Sequence, residues 1–205
     1  MKRRVTLLGD SIRLIGYGER VAERLSNEFE VWQPDHNCRY VKHTLRELFS
    51  WERHIEGCDV IHWNNGLWDV CDLFGDGPFT PLEQYTEEIL RLAALLKKRT
   101  RVLIFATTTP VREENRYNKN TDIAAYNAAV VPKLREMGVV INDLYTPLCA
   151  DVNRYICDDL IHLSEEGIAL CTTLVEKVIR EAASTLDGEM GRSTEGGFRD
   201  PGAPI

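Results

Sequence analysis

The chain is expected to be an α/β protein in which five parallel strands form one sheet between two helical layers, a three-layer α/β/α sandwich. Three observations predict this. Short apolar, β-prone runs recur along the 205 residues; the clearest, Val102-Leu103-Ile104-Phe105-Ala106, is apolar without a break, as a strand covered on both faces is. Between these runs lie longer stretches with apolar residues at helical spacing, and strands alternating with helices call for a parallel sheet with right-handed crossovers. The third observation is composition: 43% hydrophobic and 28% charged residues are globular values, and the length suits one core. A single domain is therefore expected over residues 1–186. From residue 187 to residue 205 Gly, Ser, Thr, Asp, Arg and Pro prevail, and a disordered tail is expected there.

The first strand is Val5-Thr6-Leu7-Leu8, and it stops abruptly at Gly9-Asp10-Ser11. In an open parallel sheet the ligand crevice lies beyond the carboxyl ends of the strands, which places this serine well for nucleophilic chemistry. Ser and Asp are also favoured helix N-caps, and residues 13–27 read as a helix, so these residues alone leave a capping role for Ser11 open. Ile15-Gly16-Tyr17-Gly18-Glu19-Arg20-Val21 is not a dinucleotide fingerprint. Its third glycine position holds Val21, and its glycines do not form the first turn after the strand. Val21, Ala22 and Leu25 instead make the buried face of the helix.

Phe29-Glu30-Val31-Trp32 is the second strand, and Thr44-Leu45-Arg46-Glu47 has the capping-box pattern of a helix start. Arg39 and Lys42 between them read as solvated loop charges. Asp59-Val60-Ile61-His62-Trp63 is the third strand, with His62 a structural histidine. It runs into Asn64-Asn65-Gly66-Leu67-Trp68-Asp69, where the Asn65-Gly66 pair suits a tight turn with positive φ. Residues 71–81, with Gly75, Gly77, Pro78 and Pro81, form an exposed loop. A helix over residues 82–98 buries Ile89, Leu90, Leu92, Ala93, Leu95 and Leu96, and Lys97-Lys98-Arg99 suits the negative end of its dipole. After the fourth strand, residues 112–119 read as a solvated, mobile loop able to close over the site. Residues 122–137 are helical with Pro132 inside, Val139-Val140-Ile141-Asn142-Asp143 is the fifth strand, and residues 164–183 are the closing helix.

Just before that helix, Asp158-Asp159-Leu160-Ile161-His162-Leu163-Ser164 sets an acid three positions ahead of a histidine. A serine nucleophile needs a base to take its proton and a third group to hold the imidazole in one tautomer. Gly9-Asp10-Ser11 after the first strand and Asp159-x-x-His162 before the last helix together resemble the GDSL, or SGNH, hydrolase superfamily, over roughly residues 3–185. The resemblance implies a flavodoxin-like sheet and ester hydrolysis through an acyl-enzyme. Ser11 would be the nucleophile, His162 the base and Asp159 its orienting partner, with neither metal nor organic cofactor. The oxyanion hole would combine the Ser11 backbone N–H with an asparagine amide.

Two departures from the family pattern stand out. No glycine occurs between Val31 and Gly57, where the family carries an oxyanion glycine, so a backbone amide within residues 37–43, or the Asn37 or Arg39 side chain, would have to serve. The third block reads Asn-x-Gly-Leu rather than Gly-x-Asn-Asp, and it resembles a variant found in some branches. Asn64 is the expected oxyanion donor and Asn65 the alternative, with Asp10, Trp63 and Trp68 expected to touch substrate. The partner implied is a small-molecule ester, and the absence of an apolar lid suggests a short acyl group, such as acetyl on a carbohydrate. Acyl transfer to an alcohol would use the same residues, and a binding module without turnover is the alternative from another class.

Composition narrows the remaining classes. A net charge of −7 without a basic patch disfavours nucleic-acid binding, and no run of about 18 apolar residues suggests a membrane span. The apolar run after Met1-Lys2-Arg3-Arg4 meets Asp10 and Arg13 too soon for a signal peptide, so a cytoplasmic protein is expected, with homo-oligomerisation open. Six cysteines without a C-x-x-C pair read as free thiols rather than a zinc site. The α/β-hydrolase fold is disfavoured because no Gly-x-Ser-x-Gly elbow exists.

Overall fold

The computed structural model describes residues 2–193, with side chains to Asp187. β1 (Arg3–Leu8) is followed by a π-helical turn, Ile12–Tyr17, which leads into α1 (Gly18–Leu25). Next come β2 (Phe29–Trp32), α2 (Val41–Ser50), α3 (Glu52–Ile55), β3 (Cys58–Trp63) and α4 (Leu67–Val70). The chain continues through α5 (Leu82–Lys97), β4 (Thr100–Ala106), α6 (Asn120–Glu136), β5 (Val140–Asn142), α7 (Tyr145–Cys149), α8 (Val152–Tyr155) and α9 (Glu165–Ser193).

The five strands are all parallel, in the order β2-β1-β3-β4-β5, which is the flavodoxin-like arrangement. In that order the switch point lies between β1 and β3, where outgoing loops diverge and open a crevice. Leu8 pairs with Trp63 at the last register position, so Gly9-Asp10-Ser11 and Asn64-Asn65 leave the sheet side by side. The α1 and α9 helices cover one face, and α2, α3, α5 and α6 the other. Apolar side chains such as Leu7, Val60, Ile61, Ile104 and Phe105 are buried between them. Ion pairs tie α9 along the α1 side: Arg20–Glu165 at 2.5 Å, Arg24–Glu176 at 3.3 Å and Arg180–Glu28 at 2.7 Å.

Several element boundaries differ from the sequence expectation for physical reasons. Residues 13–27 are not one helix, because Gly16 takes a non-helical conformation (φ −103°, ψ −110°) and splits off the π-helical turn. The α2 helix begins at Val41 rather than Thr44. Its first amide is capped by the Asp69 carboxylate, 3.1 and 3.2 Å from Val41 N, while Thr44 Oγ1 donates to Cys38 O instead. Residues 112–119 are solvated at Glu113, Glu114, Arg116, Tyr117 and Lys119 but anchored within: Asn115 and Asn118 are buried, and Asn118 Nδ2 donates to Leu67 O. The closing helix runs on to Ser193; of the expected tail, residues 194–205 lie outside the described residues. Among the described residues no helix is long and apolar enough to cross a membrane.

Candidate active site

Ser11 stands one residue beyond the buried Asp10, at the carboxyl edge of β1 and at the start of the π-helical turn. Helix starts need acceptors for their orphan amides, and Asp10 does that work here: its Oδ1 accepts from Ile12 N at 3.0 Å. Ser11 makes no side-chain cap, so its hydroxyl is left for other chemistry. Across the crevice His162 Nδ1 meets Asp159 Oδ2 at 2.7 Å. The other oxygen of Asp159 accepts from the backbone amides of His162 (2.9 Å) and Ile161 (3.1 Å), which fixes the carboxylate relative to the ring. Leu160, between them, adopts a left-handed φ of 74° to close this turn, a conformation costing a non-glycine residue about 1–3 kcal/mol. Burial acts to raise the Asp159 pKa, but the hydrogen bonds from His162 and Ile161 win and hold it below the usual carboxylate range.

Ser11 and Ile161 line one cavity of about 200 Å³ with Leu67, Trp68, Leu73 and Tyr117. Ser11 Oγ and the His162 ring are not hydrogen-bonded in this resting arrangement. Such contacts often tighten only when substrate binds.

Asn64 is buried beside this edge. Its Nδ2 donates to Asp10 Oδ1 at 2.8 Å, and its Oδ1 accepts from the Tyr17 hydroxyl at 3.0 Å. Gly9 makes this possible, since a Cβ there would collide with Asn64 Oδ1 and lie 2.8 Å from Arg13 Cβ. Burial raises the Asp10 pKa against the opposing hydrogen bonds from Asn64 and Ile12. Asn65, the alternative donor, spends its side chain elsewhere: Nδ2 donates to Arg39 O at 2.8 Å and Thr44 Oγ1 at 3.0 Å. Nor does Asn65 take a positive φ. That conformation belongs to Gly66, at φ 153°, where a side chain would strike Thr108.

Two expected substrate contacts need correction. Trp63 is 0% exposed and packs against Phe105 with ring centroids 4.7 Å apart, because the last residue of β3 still points into the core. Asp10, also buried, spends its carboxylate on Asn64 Nδ2 and Ile12 N rather than on substrate. Trp68 is 40% exposed and lines the cavity. Where the family glycine is missing, Arg39 takes a left-handed φ of 54°, and its amide donates to Asn37 Oδ1 at 2.7 Å. Arg39 and Lys42 are exposed. His62 is buried and burial pushes its pKa down to about 3, so the ring is neutral; Nε2 meets the Asn142 amide at 3.1 Å while Nδ1 has no partner.

Sequence reasoning missed four side chains that shape the site. Arg13 is buried and donates to Pro34 O and His36 O, both at 2.8 Å, fixing the loop after β2. Asp69 caps α2. Tyr17 reaches Asn64. Arg112 grips the histidine loop, donating to Ile156 O and Asn153 O and pairing with Asp158 at 2.9 Å. Each acts on a residue distant in sequence, which local patterns do not reveal.

No family model matches the chain. Among curated proteins it is 28% identical, over 187 residues, to the GDSL esterase/lipase WDL1 of Oryza sativa subsp. japonica, an alignment covering 82% of this chain and 72% of that protein. Among solved structures it resembles the lipase/acylhydrolase from Enterococcus faecalis, with a TM-score of 0.72 at 16% identity over 87% of this chain and 96% of the other. It also resembles Axe2, an acetylxylan esterase from Geobacillus stearothermophilus, with a TM-score of 0.68 at 17% identity over 88% and 94% of the two chains. At such identities the structural likeness speaks for the fold. Sheet order, the motifs at its carboxyl edge and the curated relative all point to the GDSL/SGNH hydrolase superfamily and to carboxylic ester hydrolysis.

Proposed function

We propose that this protein hydrolyses esters through a covalent acyl-enzyme on Ser11, with His162 as general base and acid and Asp159 as its orienting partner. The observation that carries this reading is the division of labour at the start of the π-helical turn. Asp10 caps the backbone and Ser11 is left uncommitted, lining a cavity that Ile161 of the Asp159–His162 loop also lines. Ser11 Oγ attacks the carbonyl carbon while His162 Nε2 takes its proton; the resulting imidazolium protonates the leaving alcohol, and water repeats the sequence on the acyl-enzyme. Charge on the carbonyl oxygen is met by the Ser11 backbone N–H and the second Nδ2 hydrogen of Asn64. A donor of this kind contributes about 3–4 kcal/mol when tested by removal. The six cysteines are unpaired, which supports a reducing, cytoplasmic setting.

The cavity bears on the substrate. Trp68, Leu73, Tyr117 and Ile161 give it a largely apolar wall. That lining favours an ester whose apolar group is larger than acetyl. Acetyl on a carbohydrate is the second reading, favoured by the partly exposed aromatic rings of Trp68 and Tyr117. A p-nitrophenyl ester series from acetate to octanoate decides between them. Rising kcat/KM is expected, up to about fourfold per methylene at ~0.8 kcal/mol each, and Trp68→Ala is expected to flatten the rise. A maximum at acetate in the native enzyme sinks the larger-group reading.

A further inference from the structure

We infer that Tyr17 is a positioning residue for the oxyanion hole, its hydroxyl holding the Asn64 amide in the one orientation that keeps Nδ2 turned toward Asp10 and the reacting centre. This rests on the reading above, in which Asn64 is an oxyanion donor. An amide side chain has nearly the same shape with its oxygen and nitrogen exchanged, so packing alone does not choose between the two orientations. Hydrogen bonding does. As found, Asn64 Nδ2 gives one hydrogen to Asp10 Oδ1 at 2.8 Å and retains the other, while Oδ1 receives the Tyr17 O–H at 3.0 Å.

Turning the amide over would set its oxygen against a carboxylate oxygen. It would also leave the Tyr17 hydroxyl hydrogen buried without an acceptor, because Asn64 Oδ1 is the acceptor that Tyr17 has among the described residues. The phenol stays neutral, since burial and the nearby Asp10 raise its pKa well above the ordinary value, so it always has a hydrogen to give. The backbone is shaped for this contact. The π-helical turn Ile12–Tyr17, broken at Gly16, carries Tyr17 back under the strand ends, where its ring meets His62 edge-on with centroids 5.8 Å apart. π-Turns concentrate at functional sites, and this one joins the nucleophile to the residue orienting the oxyanion donor. Gly9 completes the frame by admitting Asn64 Oδ1 against its bare Cα.

The test is a mutant cycle on p-nitrophenyl ester hydrolysis, with thermal melting of every variant. Asn64→Ala is expected to lower kcat about 100- to 1000-fold. Tyr17→Phe is expected to lower kcat roughly tenfold or more with KM within about twofold, as for an interaction felt in the transition state. The double variant is expected to be no slower than Asn64→Ala, because Tyr17 acts only through that side chain. Replacing Tyr17 by 4-aminophenylalanine, which keeps a donor on the same ring, is expected to restore kcat, and it serves as the folded comparison if Tyr17→Phe melts below the assay temperature. Tyr17→Phe at native kcat beside an impaired Asn64→Ala overturns the inference, as do multiplicative losses in the double variant or failure of the amino analogue to restore rate. Native kcat in Asn64→Ala instead overturns the oxyanion assignment on which it rests.

Discussion

Side chains at the crevice divide between those that meet substrate and those that hold the first set still. Asp69 belongs to the second set. Burial pushes its carboxyl up to about 7, against the opposing hydrogen bonds from Thr80 Oγ1 and Val41 N. In an unfolded chain an aspartate titrates near 3.9. Between about pH 4 and 7 the folded protein therefore keeps a proton that the unfolded chain has released, and stability falls as pH rises through that window, levelling off above it. Asp69→Asn keeps acceptors for Thr80 and Val41 but removes the titration. Relative to this variant, the native protein is expected to lose melting temperature between pH 4.5 and 7.5. Parallel melting profiles would show that Asp69 stays ionised in the fold.

At the scale of elements, the histidine loop is held by a residue from another connection. The Arg112 guanidinium donates to Ile156 O at 2.9 and 2.6 Å and to Asn153 O at 3.1 Å, pairs with Asp158, and Arg112 N donates to Leu160 O at 3.0 Å. The loop is stiffened further by the Ile156–Leu163 bridge and by Cys157 N donating to His162 O at 2.7 Å. Arg112→Met frees the loop bearing Asp159 and His162 without touching either. A fall in kcat of about ten- to a hundredfold with KM little changed is expected from such misplacement. Arg112→Lys is expected to recover little, because a point charge does not span two carbonyls and a carboxylate. Kinetics of the two variants check this, and native kcat in Arg112→Met would show that the loop holds its geometry unaided.

Over the whole molecule, the sheet and its crossovers were legible because a parallel sheet covered on both faces needs unbroken apolar strands, as in Val102-Leu103-Ile104-Phe105-Ala106, all now within β4. The positions of Gly9-Asp10-Ser11 and Asp159-x-x-His162 were legible for a related reason, since strand ends and helix starts mark the crevice of such a sheet and both motifs sit there. What stayed hidden depends on contacts between distant segments. Asp69 capping Val41 spans 28 residues, Tyr17 meeting Asn64 spans 47, and Arg112 gripping Ile156 spans 44. Trp63 was misread because alternation along a strand does not say where the core ends. The central claim is that this architecture activates one serine, and a fluorophosphonate probe, which reacts with activated serines, tests it most directly. Peptide mapping of the labelled native protein is expected to find the adduct on Ser11 alone, with labelling lost in His162→Ala and on unfolding. A folded protein left unlabelled at Ser11, or labelled there equally well without His162, would contradict it.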